Sequence, residues 1–188
     1  MGQTRLLLLD FDGTLASTER ANTEAYIAAL AEEGIALDAQ TYRAKYFGVR
    51  CTEFMAEIGI TDPVRAEHIR RRKIELYPSF FGSVRLNEPL WRMAQQLRAQ
   101  GGKVWIVSTG HPDNLNNAMT YLGIRDQIDG LLTSEDIDRP KPAPDAFIKA
   151  MQIEGVDASQ TLIFEDSEVG IEAAKASGAP YVKVSLGY

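Results

Sequence analysis

The chain opens on the continuous apolar run Leu6-Leu7-Leu8-Leu9, closed at once by Asp10-Phe11-Asp12-Gly13-Thr14. A short apolar run that ends in a turn reads as a strand buried on both faces, here over 5–11. The texture then becomes helical for roughly seventy residues. Helices are expected over 21–33, 41–46, 52–58 and 63–77, with Gly34, Gly48, Gly59 and Pro78 as punctuation. No alternating apolar pattern occurs there.

From about Asn87 helices and strands alternate. Helices are expected over 89–100, 113–122, 144–153 and 169–177, the first, second and last closed by Gly101, Gly123 and Gly178. Strands are expected over 104–107, 128–132, 161–164 and 181–184. Such alternation means a parallel sheet covered by helices. The predicted fold is therefore α/β: a Rossmann-like parallel sheet core with helices on both faces and an inserted helical domain. The core takes 1–16 and 84–188, and the insertion takes 17–83.

Composition narrows the function classes. A net charge of −6 and a pI near 5.0 oppose a nucleic-acid binder, which needs a basic footprint. The run Arg70-Arg71-Arg72-Lys73 lies in a helical stretch and reads as a solvated helix face. No apolar run is long enough to span a membrane, and Leu6 stands where a myristoylation signal after Met1-Gly2 requires Ser or Thr. The single cysteine, Cys51, excludes an internal disulfide; it reads as a small packed residue in a reducing, cytoplasmic setting. A monomer or weak homodimer is expected.

In an open parallel sheet, ligands bind beyond the carboxyl ends of the strands. Asp10 and Asp12 follow the first strand, Ser108-Thr109-Gly110 the second, and Glu165-Asp166-Ser167 the strand over 161–164. Lys141 falls in a loop between prolines. Four converging acids need compensation, since like charges 4 Å apart repel by about 4 kcal/mol at an effective dielectric of 20. A hard divalent cation supplies it, and an oxygen-only donor set selects Mg2+. With Lys141 as a further positive charge and Ser108 and loop amides as donors, the set reads as phosphoryl transfer. Singly, each feature has a plainer meaning: Asp12-Gly13 is a common turn, and Asp166-Ser167 a common helix cap.

Taken in order, these motifs resemble the haloacid dehalogenase-like superfamily. Asp10-Phe11-Asp12-Gly13-Thr14-Leu15 matches its first signature, and Ser108, Lys141 in Lys-Pro-Ala-Pro-Asp, and Glu165-Asp166-Ser167 follow in family order. The last two motifs resemble the branch holding β-phosphoglucomutase and phosphoglycolate phosphatase-like enzymes, and the helical insertion resembles that branch's cap. The resemblance implies that Asp10 is a nucleophile forming an aspartyl-phosphate, and that Asp12 is the general acid and base. An unperturbed Asp is only about 0.1% protonated at pH 7, so that role requires a raised pKa. Magnesium is expected on Asp10, the Asp12 carbonyl and Asp166, with Glu165 as a further ligand or one shell removed. Ser108, Thr109 and Gly110 are expected on the phosphoryl oxygens. His111, Arg50 and Glu19 are candidate substrate contacts, although Ser17-Thr18-Glu19 departs from the branch's Asp-Ser/Thr-Glu.

The implied activity is hydrolysis of a small phosphorylated metabolite. A phosphomutase is the alternative, but its relatives carry a histidine near the position of Asn22. A phosphonate hydrolase needs a cap lysine forming a Schiff base, for which Lys45 and Lys73 are available. Carbon–halogen hydrolysis is opposed by Asp12, and a silent binding module by the complete set of motif residues. The branch also adds a further element after the last strand, where this chain stops at Tyr188, so either a short sheet edge or a modestly reduced cap is expected.

Overall fold

The structure, a computed structural model, describes residues 3–186; the expectations about Met1-Gly2 and the chain's end at Tyr188 fall outside the described residues. In chain order the strands and α-helices are β1 (Leu6–Leu9), β2 (Ala16–Ser17), α1 (Glu19–Glu32), α2 (Ala39–Lys45), α3 (Cys51–Glu57), α4 (Pro63–Leu76) and β3 (Arg85–Leu86). There follow α5 (Glu88–Ala99), β4 (Lys103–Val107), α6 (Pro112–Tyr121), β5 (Gly130–Leu132), α7 (Asp145–Glu154), β6 (Thr161–Glu165), α8 (Glu168–Ser177) and β7 (Tyr181–Lys183). Two compact units result, Met1–Ser17 with Arg85–Tyr188, and Thr18–Val84.

The first unit is built on a five-stranded parallel sheet in the order β5-β4-β1-β6-β7. The most apolar strand lies at its centre, hydrogen-bonded to β4 on one side and β6 on the other. Successive side chains point to opposite faces. Leu6 and Leu8 pack with Trp105, Val107 and Ile163 against Phe147 and Ala150 of α7 and Ala173 and Ala174 of α8. Leu7, Leu9, Val104 and Ile106 point the other way and are equally buried. The fold is the α/β arrangement that the alternation predicts.

Strand β5 starts two residues later than its apolar pattern suggests. Asp129 occupies the missing step: its backbone N–H donates to the Val104 carbonyl at 2.8 Å, while its carboxylate accepts the Val104 N–H at 2.9 Å. The same carboxylate pairs with Arg98 and Lys103. A side chain thus stands in for the backbone ladder. The two-residue pair β2–β3, antiparallel through Ala16–Leu86 and Ser17–Arg85, carried no sequence pattern. It pairs the strand where the chain leaves this unit with the strand where it returns.

The second unit packs α1 to α4 around Ala29, Leu30, Tyr42, Tyr46, Phe54, Met55 and Ile69. Phe54 meets the rings of Tyr26 and Tyr42 edge-on. The reading of 70–73 as a solvated face is corrected at one residue. Arg71 and Arg72 do face solvent, paired with Glu67, Glu32 and Glu75, and Arg70 pairs with Glu67 as well. Lys73 is instead 1% exposed. Its Nζ donates to Asn22 Oδ1 at 2.6 Å and lies 4.1 Å from the centre of the Tyr77 ring. Burying an ammonium is costly unless it is hydrogen-bonded, and the carboxamide and aromatic faces supply that compensation. Cys51 packs beside Tyr26 as a partly buried thiol, and burial pushes it above its ordinary value.

Leu8 is 0% exposed in the central strand. Leu8→Ala is expected to lower stability by roughly 2–5 kcal/mol, read from urea unfolding. A loss below about 1 kcal/mol is the cost of an ordinary surface change and would contradict the central position of β1.

Candidate active site

The parallel register brings the predicted strand ends side by side. Leu9 pairs with Ile106 on one flank and Phe164 on the other, so Asp10 emerges between the ends of β4 and β6. Its N–H donates to the Phe164 carbonyl at 3.0 Å, which fixes the backbone where the strand stops. Carboxylate oxygens of Asp10, Glu165 and Asp166 lie within 4.8 Å of one another. Asp12 is close enough to Asp10 to push its pKa upward, but its side chain is not part of that cluster.

Lys141 belongs to the same group. Its side chain is 4% exposed, and Nζ donates to Asp10 Oδ1 at 2.7 Å, Glu165 Oε1 at 2.5 Å and the Val107 carbonyl at 3.1 Å. All three ammonium protons are therefore used. Burial disfavours the charged lysine, yet Asp10 and Glu165 outweigh it and raise its pKa. Burial also raises Asp10 well above the ordinary carboxylate range, against the pull of Lys141, with Glu165 adding to the rise. Asp166 is raised too, by burial first, although the Thr14 hydroxyl holds its charged form at 3.0 Å. Once deprotonated, three carboxylates facing one ammonium would leave two negative charges for a divalent cation to neutralise. The all-oxygen donor set fits a hard ion such as Mg2+.

Two residues of this site were not assigned a role from sequence. Thr14 closes the first motif and positions Asp166; its own carbonyl accepts from Asn87 Nδ2 at 3.1 Å. Gly13 has φ +88°, and a Cβ there would lie 2.3 Å from Asp166 Oδ2. Only glycine satisfies both conditions. The motif spacing signalled Gly13 and Thr14, but the contact 152 residues away was invisible.

Ser108 is buried at the end of β4, and its Oγ accepts the Gly110 N–H at 3.0 Å, curling the Ser108-Thr109-Gly110 loop. The Gly110 carbonyl in turn accepts the Ser134 N–H at 3.1 Å. Thr109 is exposed. His111 is not a freely solvated loop residue: it caps α6, with Nδ1 accepting the Asp113 N–H at 3.2 Å and Nε2 3.0 Å from Glu135 Oε1. Glu19 and Arg50 belong to the second unit. Glu19 opens α1 with Arg43 3.8 Å away, and exposed Arg50 precedes α3.

The model of the family described as haloacid dehalogenase-like hydrolase matches residues 7–184. The chain belongs to this family. It is similar to fructose-1-phosphate phosphatase YqaB of Escherichia coli, 30% identical over 184 residues that cover 96% of each chain. It is also similar to validoxylamine A 7'-phosphate phosphatase of Streptomyces hygroscopicus, 28% identical over 93% of this chain and 82% of that one. Among solved structures it superposes on CbbY of Rhodobacter sphaeroides in complex with phosphate, with a TM-score of 0.87 and 22% identity. That match covers 99% of this chain and 88% of the other, and it bears on the fold alone.

The raised carboxyls make cation binding pH-dependent in a definite direction. A carboxyl with a raised folded-state pKa binds protons better when folded, so the cation-free fold gains stability as pH falls towards about 4 and loses it as pH rises through the raised values. Cation binding requires those protons to leave. Mg2+ at about a hundred times its Kd is expected to add about 2.7 kcal/mol near pH 7.5, or some 5–10 °C in Tm. The increment should shrink steadily towards pH 5, as differential scanning fluorimetry can follow. An increment that grows on acidification would exclude Asp10 and Asp166 as the ligands.

Proposed function

We propose that this protein is a magnesium-dependent phosphatase that hydrolyses a small phosphate monoester, a sugar phosphate or similar metabolite, through an aspartyl-phosphate on Asp10. The observation that carries this is the buried Asp10 carboxylate, held by Lys141 at 2.7 Å within the acidic cluster at the sheet's carboxyl edge. The phosphatase names of its relatives support the reaction class. The single cysteine is consistent with work in the cytoplasm.

In the proposed reaction the free oxygen of Asp10 attacks phosphorus while the bond to the leaving alcohol breaks. Asp12 donates a proton to the departing oxygen and afterwards takes one from water. That water attacks the aspartyl-phosphate, restoring the Asp10 carboxylate and releasing inorganic phosphate. The Ser108 hydroxyl and the Thr109 amide hold the phosphoryl oxygens as charge builds on them, and Lys141 adds its positive charge beside them; the Gly110 N–H, which donates to Ser108 Oγ, joins them once substrate takes its place. Asp10, Asp166 and the Asp12 carbonyl would hold a magnesium ion, whose charge would offset the repulsion between the nucleophile and the phosphate. Glu19, Arg50 and His111 are the proposed selectors of the rest of the substrate, and the working form is a monomer or weak homodimer.

Asp10→Asn is expected to lower turnover by at least about a thousandfold, with Tm and circular dichroism close to wild type. The activity panel is phosphate monoesters, sugar phosphates and nucleotides with Mg2+ present. A well-folded Asp10→Asn protein that still turns over would remove the nucleophile.

Phosphatase and mutase share the aspartyl-phosphate and differ in whether water or a returning sugar attacks it. At the position where mutase relatives carry histidine, Asn22 binds Lys73, the Tyr77 hydroxyl and the Thr18 carbonyl. A carboxamide does not titrate near neutrality. With glucose 1-phosphate and its bisphosphate primer, phosphorus NMR is expected to show inorganic phosphate without isomerised sugar phosphate. Faster accumulation of glucose 6-phosphate would install the mutase reading instead.

A further inference from the structure

Glycine at position 170 stands in the first turns of α8, where it has no left-handed backbone to justify it. By helix propensity alone, alanine there would stabilise the helix by about 1 kcal/mol. What the glycine does provide is space. A Cβ at Gly170 would lie 1.8 Å from Glu165 Oε1, 1.9 Å from Cδ and 2.4 Å from Oε2, so the carboxylate lies directly against the bare backbone.

The buried Glu165 carboxylate has a function at each oxygen. Oε1 accepts from Lys141 Nζ at 2.5 Å. Oε2 accepts the Ser167 N–H at 2.9 Å and the Ser167 hydroxyl at 3.0 Å. The Ser167 oxygen in turn caps α8 by accepting the Gly170 N–H at 3.1 Å. The first turn of α8 therefore grips Glu165 from two sides, through Ser167 and through the notch at Gly170. Both oxygens are committed to protein donors.

We propose that Gly170 is a positioning residue: its missing side chain seats Glu165 so that this carboxylate steers the Lys141 ammonium onto Asp10, rather than serving as a ligand of the cation. The proposal rests on the phosphatase reading for its kinetic consequence and on geometry for its structural one. Pushed out of the notch, Glu165 keeps its charge but loses its direction, and Lys141 loses one of its three acceptors.

The test is a double-mutant cycle of Gly170→Ala and Glu165→Asp. Gly170→Ala is expected to lower kcat at least about tenfold, the worth of one charge-assisted hydrogen bond. Its Tm should fall, because the displaced carboxylate gives up buried hydrogen bonds, while its Mg2+ affinity by isothermal titration calorimetry should stay within about threefold, because no ligand is moved. Glu165→Asp, one methylene shorter, vacates the notch and falls short of Lys141. It should lose kcat likewise while holding Mg2+ within the same limits. In that background the alanine is expected to change kcat by less than about threefold, a non-additivity that a helix-packing role for Gly170 would not produce.

Equal costs of the alanine in both backgrounds would overturn the proposal, as would unchanged kcat in Gly170→Ala. A tenfold or greater loss of Mg2+ affinity in either single variant would make Glu165 a ligand and also overturn it. Should Gly170→Ala fail to fold, Glu165→Asp alone carries the same kinetic and Mg2+ criteria. Failure of the wild type on every monoester sinks the phosphatase reading separately. The positioning role then stands or falls on a crystal structure of Gly170→Ala, in which Glu165 must have left hydrogen-bond reach of Lys141.

Discussion

A single ammonium shared between two carboxylates beneath the edge of the sheet is the constraint on which the rest depends. Lys141 reaches Asp10 and Glu165 from a loop far along the chain, and all three side chains are nearly withdrawn from water. Removing ions from water costs several kcal/mol each, which mutual attraction offsets only where geometry is good and every proton has an acceptor. The third proton of Lys141 meets that condition by bonding to the Val107 carbonyl, at the end of β4 where it pairs with β5. The charge set is thus possible only where β1, β4 and β6 stop at the same level. Sheet register and site chemistry are one requirement.

The same balance explains why the loops around it are so tightly specified. Every element that approaches the carboxylates either donates to them or omits a side chain. Thr14 and Ser167 donate; Gly13 and Gly170 omit. An unpartnered oxygen here would cost the desolvation of a charged group, more than an ordinary hydrogen bond returns. The surplus negative charge beside Asp166 lies where an oxygen-binding cation fits.

Much of this was legible in the sequence because its signals are local. Leu6 to Leu9 can only be a buried strand, and the polar residues after it can only emerge at its end. The motif order then set Asp10, Ser108, Lys141, Glu165 and Asp166 on one sheet edge, and the register brings Asp10, Lys141, Glu165 and Asp166 together. What stayed hidden depends on contacts between distant residues. Gly170 reads as a helix interruption until Glu165 is seen against it. Lys73 looked solvated because three arginines precede it. Yet Ile69, Lys73 and Tyr77 are spaced four apart and share a face, and that periodicity outranked the charge run.

The two units divide the physical work differently. The first holds its functional groups by charge and backbone geometry, where a displacement of an ångström breaks a hydrogen bond. The second holds itself by aromatic packing of Tyr26, Tyr42, Tyr46 and Phe54, which tolerates substitution of similar volume. The first unit's chain leaves and returns through the two-residue pair β2–β3. A sequence so arranged can vary residues such as Glu19 and Arg50 without disturbing the balance around Lys141. On the proposed reading, in which Glu19 and Arg50 select the substrate, selectivity can drift while the reaction stays fixed, because the groups proposed to carry the chemistry lie outside Thr18–Val84.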